Sequence, residues 1–206
     1  MELKWLGHSC FRITHGGYSL VIDPFEPGCV PGLSDVRERA NAVLCSHGHH
    51  DHNWVQCVEL TGGGESPFTI ETLETFHDPE GGALRGGNTI HVISAGGVRV
   101  AHLGDLGCDL TDGQVKQLGR LDAVLCPVGG YYTIDACQAF DLVNRLDAGL
   151  VIPMHYRSAS FGFDVIGTVD EFTSLFPAER VRYLPGDTVT VSGGEDFMVV
   201  VPAYMG

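Results

Sequence analysis

The chain has 206 residues, of which 44% are apolar and 18% charged, a composition typical of a globular domain and not of a disordered segment. Acidic side chains number 26 against 12 basic ones, so the formal net charge is −14. A surface of this sign repels phosphate backbones, which argues against a general nucleic-acid binder. The length suits one domain, which we expect to span residues 1–206.

Hydropathy and cysteine usage indicate the compartment. The opening residues do not build the apolar segment of a secretory peptide, and no apolar stretch is long enough to cross a membrane. The seven cysteines are dispersed, and the closest pair, Cys126 and Cys137, is 11 residues apart. This spacing predicts reduced thiols and disfavours a cysteine zinc site. We therefore expect a cytoplasmic protein with no membrane partner.

Short β-branched runs separated by glycine-rich turns predict a strand-rich chain. The predicted strands are 2–6, 10–14, 18–22, 40–46, 67–76, 89–93, 98–103, 123–127, 150–154, 181–184, 188–191 and 197–201. The segment 40–46 is apolar without alternation, which is typical of a buried strand. The predicted helices are a short one at 53–60, then 113–118, 134–146 after Thr133, and 169–176.

Four histidines fall within six residues after the 40–46 strand, in C-S-H-G-H-H-D-H-N-W at 45–54. His47, His49, Asp51 and His52 form the pattern H-x-H-x-D-H, which this composition produces by accident about 2 times in 1000. His47 and His49 lie two apart, so an extended loop turns both imidazoles to one side, towards zinc, iron or nickel. Asp51 and His52 can face a second ion, whereas His50 is expected to face away. The alternative is a solvated histidine-rich loop.

The chain resembles the metallo-β-lactamase superfamily, whose signature is H-x-H-x-D-H after a core strand. T-F-H-D at 75–78, H-L-G-D at 102–105 and I-P-M-H-Y at 152–156 follow in the family's order. W-L-G-H-S at 5–9, I-D-P at 22–24 and the runs 77–90 and 127–135 resemble the metal-dependent hydrolases of the L-ascorbate-6-phosphate lactonase-like branch. The resemblance implies an α/β fold, a four-layer αβ/βα sandwich of two mixed β-sheets flanked by helices.

The resemblance also implies a site with two divalent metal ions. The implied ligands of the first ion are His47, His49 and His77, those of the second are Asp51, His52 and His155, and Asp105 bridges both. This donor set suits zinc best, with manganese, iron and nickel as alternatives. Asp51 and Asp105 are also the expected catalytic residues, because they would orient the attacking hydroxide.

Further residues are candidates for supporting the metal ligands. Asp23 follows a predicted strand and can accept a hydrogen bond from a ligand histidine, or it only caps a turn. His8 ends the first strand and either contacts the substrate, bonds to a ligand, or is a core histidine. His102 either supports a ligand or is a satisfied core residue.

Candidate substrate contacts come from one loop and two arginines. The loop residues are Gly129, Gly130, Tyr131 and Thr133. Glycine permits close backbone approach, and the helix after Thr133 can hold an anion at its N-terminus; the alternative is a plain tight turn. Arg85 and Arg157 are candidate grips for a phosphate or carboxylate, although Arg85 fits a loop salt bridge equally well.

These observations predict a metal-dependent hydrolase. A hydroxide bound between two metal ions would attack an ester, lactone, amide or phosphodiester of a small, anionic molecule. Two cations outweigh two carboxylates and a hydroxide, which leaves the site positive. We expect a small-molecule substrate, no nucleic-acid partner and, by analogy, a homo-oligomer. The alternatives are a di-iron redox enzyme on the same fold, an RNA-processing nuclease and a non-catalytic ligand sensor.

Overall fold

Two large β-sheets, a two-stranded pair and three α-helices make up the fold in the computed structural model, which describes residues 1–206. The strands are β1 (Glu2–Gly7), β2 (Cys10–His15), β3 (Tyr18–Ile22), β4 (Glu38–Ala40), β5 (Ala42–Leu44), β6 (Val58–Leu60), β7 (Thr69–Phe76), β8 (Gly87–Ala95), β9 (Val98–His102), β10 (Leu121–Pro127), β11 (Ala148–Met154), β12 (Val181–Tyr183), β13 (Thr188–Thr190) and β14 (Met198–Val201). The α-helices are α1 (Asp112–Leu118), α2 (Ala136–Arg145) and α3 (Val169–Thr173).

The first sheet has the strand order β13-β1-β2-β3-β5 and is antiparallel except for the parallel pair β3–β5. Alternate residues of its strands, such as Trp5, Phe11 and Ile22, are buried in the main core against the second sheet. Because β1 and β3 run in the same direction as β5, their carboxyl ends meet at one edge of this sheet. The segments that follow these three strands therefore begin side by side.

The second sheet has the order β12-β14-β11-β10-β9-β8-β7. Its strands are parallel from β12 to β9, and β8 and β7 complete it in antiparallel pairing. Every residue of β10 is buried, as expected for a central parallel strand that is covered on both faces. The strands β7, β9 and β11 run in one direction, so the residues that follow them also share one edge.

The outer layers of the sandwich differ. Helix α2 packs Ala139, Leu142 and Val143 into the main core and contacts α3. The outer face of the five-stranded sheet is covered by a smaller cluster, which includes Phe25 and Val36, together with the pair β4–β6. No α-helix precedes Asp112. The expected α/β sandwich of two mixed sheets is confirmed, with its helices beside the seven-stranded sheet.

Three predicted elements differ in the structure. The expected helix 53–60 is a single 3₁₀ turn, Val55–Cys57, followed by β6, whose residues pair with β4. The expected single strand 40–46 is divided at Asn41 between two sheets, and its residues in β5 are only half-buried. Helix α2 begins after Asp135, whose carboxylate accepts from Gln138 N, so Asp135 and not Thr133 is the cap. Local propensity was overridden by strand pairing in the first two cases.

No helix of the structure is long and apolar enough to cross a membrane.

Candidate metal centre

The histidine loop leaves the first sheet beside a buried aspartate. Register pairs Ile22 with Leu44, so Asp23 and the residues after Leu44 leave parallel strands at the same level. Asp23 N donates to Leu44 O at 3.0 Å, and Asp23 Oδ1 accepts from Ser46 N at 2.6 Å. The start of the loop that carries the H-x-H-x-D-H pattern is therefore fixed by the end of β3.

The same aspartate determines which ring nitrogens of two histidines carry protons. Asp23 Oδ2 lies 2.9 Å from His52 Nδ1, and because a carboxylate only accepts, Nδ1 carries the proton. Ser46 Oγ lies 2.6 Å from Asp23 Oδ2, so its proton is donated there and it accepts from His47 Nδ1 at 2.9 Å. His47 and His52 thus direct Nε2 to the opposite side, as metal-binding histidines do.

Asp105 lies where the two sheet edges meet. Its Oδ2 atom is 3.1 Å from His77 Nε2, 3.2 Å from His52 Nε2 and 3.2 Å from His155 Nε2. Asn88 Oδ1 accepts from Asp105 N at 2.9 Å and so holds the turn after β9 in place. One carboxylate oxygen is therefore shared by histidines from three separate segments.

The ligand atoms fall into three adjoining groups. The first group is His47, His49 and His77, the second is His8, Asp51, His52 and His155, and Asp105 joins His47 and His52 in a third. Within each group all ligand atoms lie within 4.8 Å of one another. The structure brings together every residue predicted as a metal ligand and adds His8. His50 points away: its side chain is 83% exposed and its Nδ1 lies 3.5 Å from Glu26 Oε2.

The donor atoms fit divalent cations. The Nε2 atoms of His47, His52 and His155 and Oδ1 of Asp105 are buried without a hydrogen-bond partner. Each buried unsatisfied polar atom costs about 1–3 kcal/mol, and cations bound among them would satisfy all four. Donor atoms about 2.0–2.1 Å from a tetrahedral zinc ion lie about 3.3–3.4 Å apart, close to the separations around Asp105 Oδ2.

The pKa values of His47, Asp105 and His52 are shifted by burial and by neighbouring charges, in a way that favours a bound cation. Burial, reinforced by His52, lowers the pKa of His47 to about 3, so its imidazole is neutral near pH 7. Burial would raise the pKa of Asp105, but His155 and His52 hold it well below its usual value. Burial lowers the pKa of His52, but Asp105 and Asp23 outweigh it and raise that pKa well above the usual value. A proton on His52 thus compensates the carboxylates, and a cation would displace it.

Backbone strain is concentrated around the centre. Of the four non-glycine residues with positive φ, three are His8 (51°), Asp23 (52°) and His155 (53°), and the fourth is Tyr131 (60°). Left-handed conformations of such residues cost on the order of 1–3 kcal/mol each and persist where the surroundings impose them. The fold therefore holds three of these side chains in place at an energetic cost.

A cleft of about 420 Å³ opens onto the centre. Arg85, Tyr132 and Phe163 line it together with His49, His77 and Asp105 of the centre. The Arg85 guanidinium lies 5.7 Å from the centroid of the Tyr132 ring, a cation–π arrangement. Of the two candidate arginines, the structure brings only Arg85 to the cleft.

The predicted substrate loop contributes differently from expectation. Tyr131 is 64% exposed and does not line the cleft, whereas its neighbour Tyr132 does. Gly129 and Gly130 are buried, and a Cβ on Gly129 would collide with His155 O, so this glycine serves close strand packing. Thr133 is buried and its hydroxyl donates to Ile134 O at 3.0 Å, which leaves it no capping role.

Arg157 and His102 also lie away from the cleft. Arg157 Nε donates to Ile166 O at 2.7 Å, which uses the guanidinium inside the fold. His102 Nε2 lies 2.8 Å from Ser9 O, and its Nδ1 accepts from Gly104 N at 3.1 Å. Both ring nitrogens of His102 are therefore satisfied by the backbone, so it is a core histidine.

The sequence reasoning missed four residues of the site. Ser46 hydrogen-bonds to both Asp23 and His47 and so connects them. Asn88 positions Asp105, and Tyr132 and Phe163 line the cleft. The position of Ser46 directly before the histidine pattern could have indicated its role. Nothing local marks Phe163, which reaches the site from the segment after His155.

Comparisons with known proteins agree with this geometry. The β-lactamase superfamily domain matches residues 2–155. A UPF0173 metal-dependent hydrolase of Methanoculleus marisnigri is 30% identical over 93% of this chain and 97% of its own. One of Desulforamulus reducens is 29% identical over 77% of this chain and 85% of its own.

A solved structure extends the similarity over the whole fold. A candidate zinc-dependent hydrolase of the metallo-β-lactamase superfamily from Thermotoga maritima is 32% identical, covers 98% of both chains and superimposes with a TM-score of 0.76. The narrower resemblance to the L-ascorbate-6-phosphate lactonase-like branch stays a prediction. The chain itself belongs to the metallo-β-lactamase superfamily and is a metal-dependent hydrolase.

Proposed function

We propose that this hydrolase uses two divalent ions, zinc in the first instance, to cleave an ester, lactone or phosphodiester bond of a small anionic molecule. The observation that carries the proposal is Asp105 Oδ2, which is shared by His77 on one side and by His52 and His155 on the other. A carboxylate in this position can bridge two ions. His47, His49 and His77 would hold one ion, and Asp51, His52 and His155 the other.

Bound divalent ions supply a water of lowered pKa and Lewis-acid polarisation of the attacked group. The chain's own residues supply position. Asp23 and Ser46 hold the rings of His52 and His47 with Nε2 facing the centre. Asp51 and Asp105 are the carboxylates that line the cleft, where they can accept a hydrogen bond from the attacking water and keep it oriented.

The cleft supports a compact, negatively charged substrate. Arg85 is the one cationic side chain other than histidine that lines it, and Tyr132 and Phe163 offer aromatic surface. An anionic group bound by Arg85 would fix the substrate while its scissile bond faces the ions. The net charge of −14 disfavours a polyanion such as RNA. We also propose a cytoplasmic location, which the seven unpaired thiols support.

The deciding experiment is elemental analysis of untagged protein purified without chelator. We expect close to two ions per chain, with loss of metal in His52→Ala and Asp105→Ala. Zinc or manganese directs the substrate screen to small phosphodiesters and lactones, with hydrolysis followed by product release. One ion or none after incubation with several metals would overturn the dinuclear proposal, and two iron ions with oxygen-dependent turnover would replace it by redox chemistry.

A further inference from the structure

His8 occupies an unusual position at the end of β1. Its φ of 51° follows Gly7 at 106°, so the chain turns sharply here. The carbonyl of His8 accepts from Trp5 Nε1 at 2.9 Å and from His155 N at 3.3 Å. These bonds tie His8 to the segment after β11 and direct its ring into the space between the two sheet edges.

The surroundings of the His8 ring exclude direct contact with a substrate. Its side chain is 0% exposed, it does not line the cleft, and the ring of Phe163 packs 5.7 Å from it, centroid to centroid. The polar neighbours of the ring belong to the second ligand group. Ring centroids lie 4.1 Å from His155 and 5.3 Å from His52, and His8 Nε2 is 3.3 Å from Asp51 Oδ2.

This spacing matches a shared coordination shell. Donor atoms about 2.0–2.1 Å from one zinc ion with four or five ligands are about 2.9–3.6 Å apart, and the Nε2–Oδ2 separation of 3.3 Å lies in that range. His52 Nε2 lies 3.6 Å from the same Asp51 oxygen. An N–H···O hydrogen bond is normally shorter, about 2.9–3.0 Å. The four ligand atoms of this group all lie within 4.8 Å of one another.

We propose that His8 binds the second ion through Nε2, as a fourth protein ligand beside Asp51, His52 and His155. This inference rests on the proposed dinuclear function and extends it. With Asp105 as the bridge, the second ion would have five protein donors and the first ion four. The second ion is then the better enclosed one, and the first keeps the more open position towards the cleft.

The competing interpretation is that His8 only donates a hydrogen bond to Asp51. The two roles separate in His8→Gln, whose amide nitrogen can still donate to the carboxylate but is a poor ligand for zinc. His8→Ala removes both roles. His50→Ala is the matched control, because His50 belongs to the same histidine-rich loop as the ligands and is exposed.

Zinc affinity is measured by competition of each holoprotein with a chromophoric chelator, and zinc content by elemental analysis. We expect His8→Gln and His8→Ala to lower the binding affinity for one of the two ions at least tenfold. His50→Ala should leave the affinity for both ions unchanged. If His8→Gln keeps two ions with wild-type affinity, the ligand role is wrong while the dinuclear function stands. A wild-type chain that never binds two ions would overturn both.

A second measurement needs no variant that could misfold. Wild-type protein is labelled with ¹⁵N-histidine and loaded with ¹¹³Cd, and ligand nitrogens are identified by their coupling to cadmium. We expect six coupled imidazoles: His8, His47, His49, His52, His77 and His155. Five coupled imidazoles, with His8 uncoupled, would refute the proposal.

For the affinity experiment, circular dichroism of His8→Gln tests whether its fold is retained before its zinc affinity is interpreted.

Discussion

Asp23→Asn is the substitution that tests the metal centre most directly without touching a ligand. Asparagine has the same size and tolerates the left-handed backbone at this position. Its Oδ1 can still accept from Ser46 N, but an NH₂ group replaces the oxygen that lies 2.9 Å from His52 Nδ1. Two donors cannot face each other, so His52 would move its proton to Nε2. That nitrogen would then no longer offer a lone pair to an ion.

The expected magnitude follows from the bonds at this oxygen. Loss of a hydrogen-bond partner behind a metal-binding histidine typically costs about 10–100-fold in metal affinity, or about 1.4–2.8 kcal/mol. The Ser46 hydroxyl can rotate to accept from the new NH₂ group, whereas the bond from His52 Nδ1 is lost. One hydrogen bond to a charged group is worth about 1.5–3 kcal/mol, which is the expected loss in unfolding free energy of the metal-free chain.

The assay is competition for zinc against a chromophoric chelator, with urea unfolding of the metal-free protein alongside. Asp122→Asn is the matched control, because Asp122 is also buried but accepts from Arg99 N and Gly194 N, away from the centre. We expect Asp122→Asn to keep wild-type zinc affinity within about twofold. A folded Asp23→Asn protein that binds two zinc ions within about twofold of wild type would refute the assignment of the His52 proton.

Three further substitutions and one treatment test other parts of the site. Asn88→Ala removes the acceptor for Asp105 N and leaves buried groups unpaired, so urea unfolding should report a loss of about 2–5 kcal/mol. Gly104→Ala places a methyl group against Asn88 Oδ1 at a φ of 58°, and we expect a lower thermal midpoint together with reduced zinc content. Arg85→Ala should raise KM for an anionic substrate about tenfold and leave kcat within about threefold of wild type. Equal KM values for the variant and the wild type would exclude a contact between Arg85 and the anionic group. Chelation should cost about 2.7 kcal/mol of stability for each ion removed, relative to protein in zinc at 100 times Kd, and an unchanged thermal midpoint would contradict metal-linked folding.

Much of the fold was readable from local pattern. Short runs at 2–6, 10–14 and 18–22, separated by turn residues, predicted the opening meander, and Gly16 and Gly17 form the predicted hairpin turn between the second and third strands. The central strand β10 followed from a continuous apolar run. The pair β4–β6 did not follow, because its three-residue strands are stabilised by pairing across 17 intervening residues, from 41 to 57, and not by their own pattern.

The histidine loop was predicted by sequence because its chemistry is local. Spacing alone turns His47 and His49 to one side and separates His50 from them, and the exposed His50 agrees with this. The later residues needed a family resemblance, since His77, Asp105 and His155 are dispersed over the chain. Spacing could not have placed the Nε2 atoms of His77 and His155 3.1 and 3.2 Å from Asp105 Oδ2.

The sequence by itself therefore determined the composition of the site, the strands that end at it and the metal-binding chemistry. Only the tertiary structure decided which side chains face it. It joined His8 to Asp51 across 43 positions, brought Tyr132 and not Tyr131 to the cleft, and turned Arg157 away from it. The physical reason is that periodicity fixes the face of a residue within one element, whereas contact between elements depends on sheet register and on the packing of strand ends.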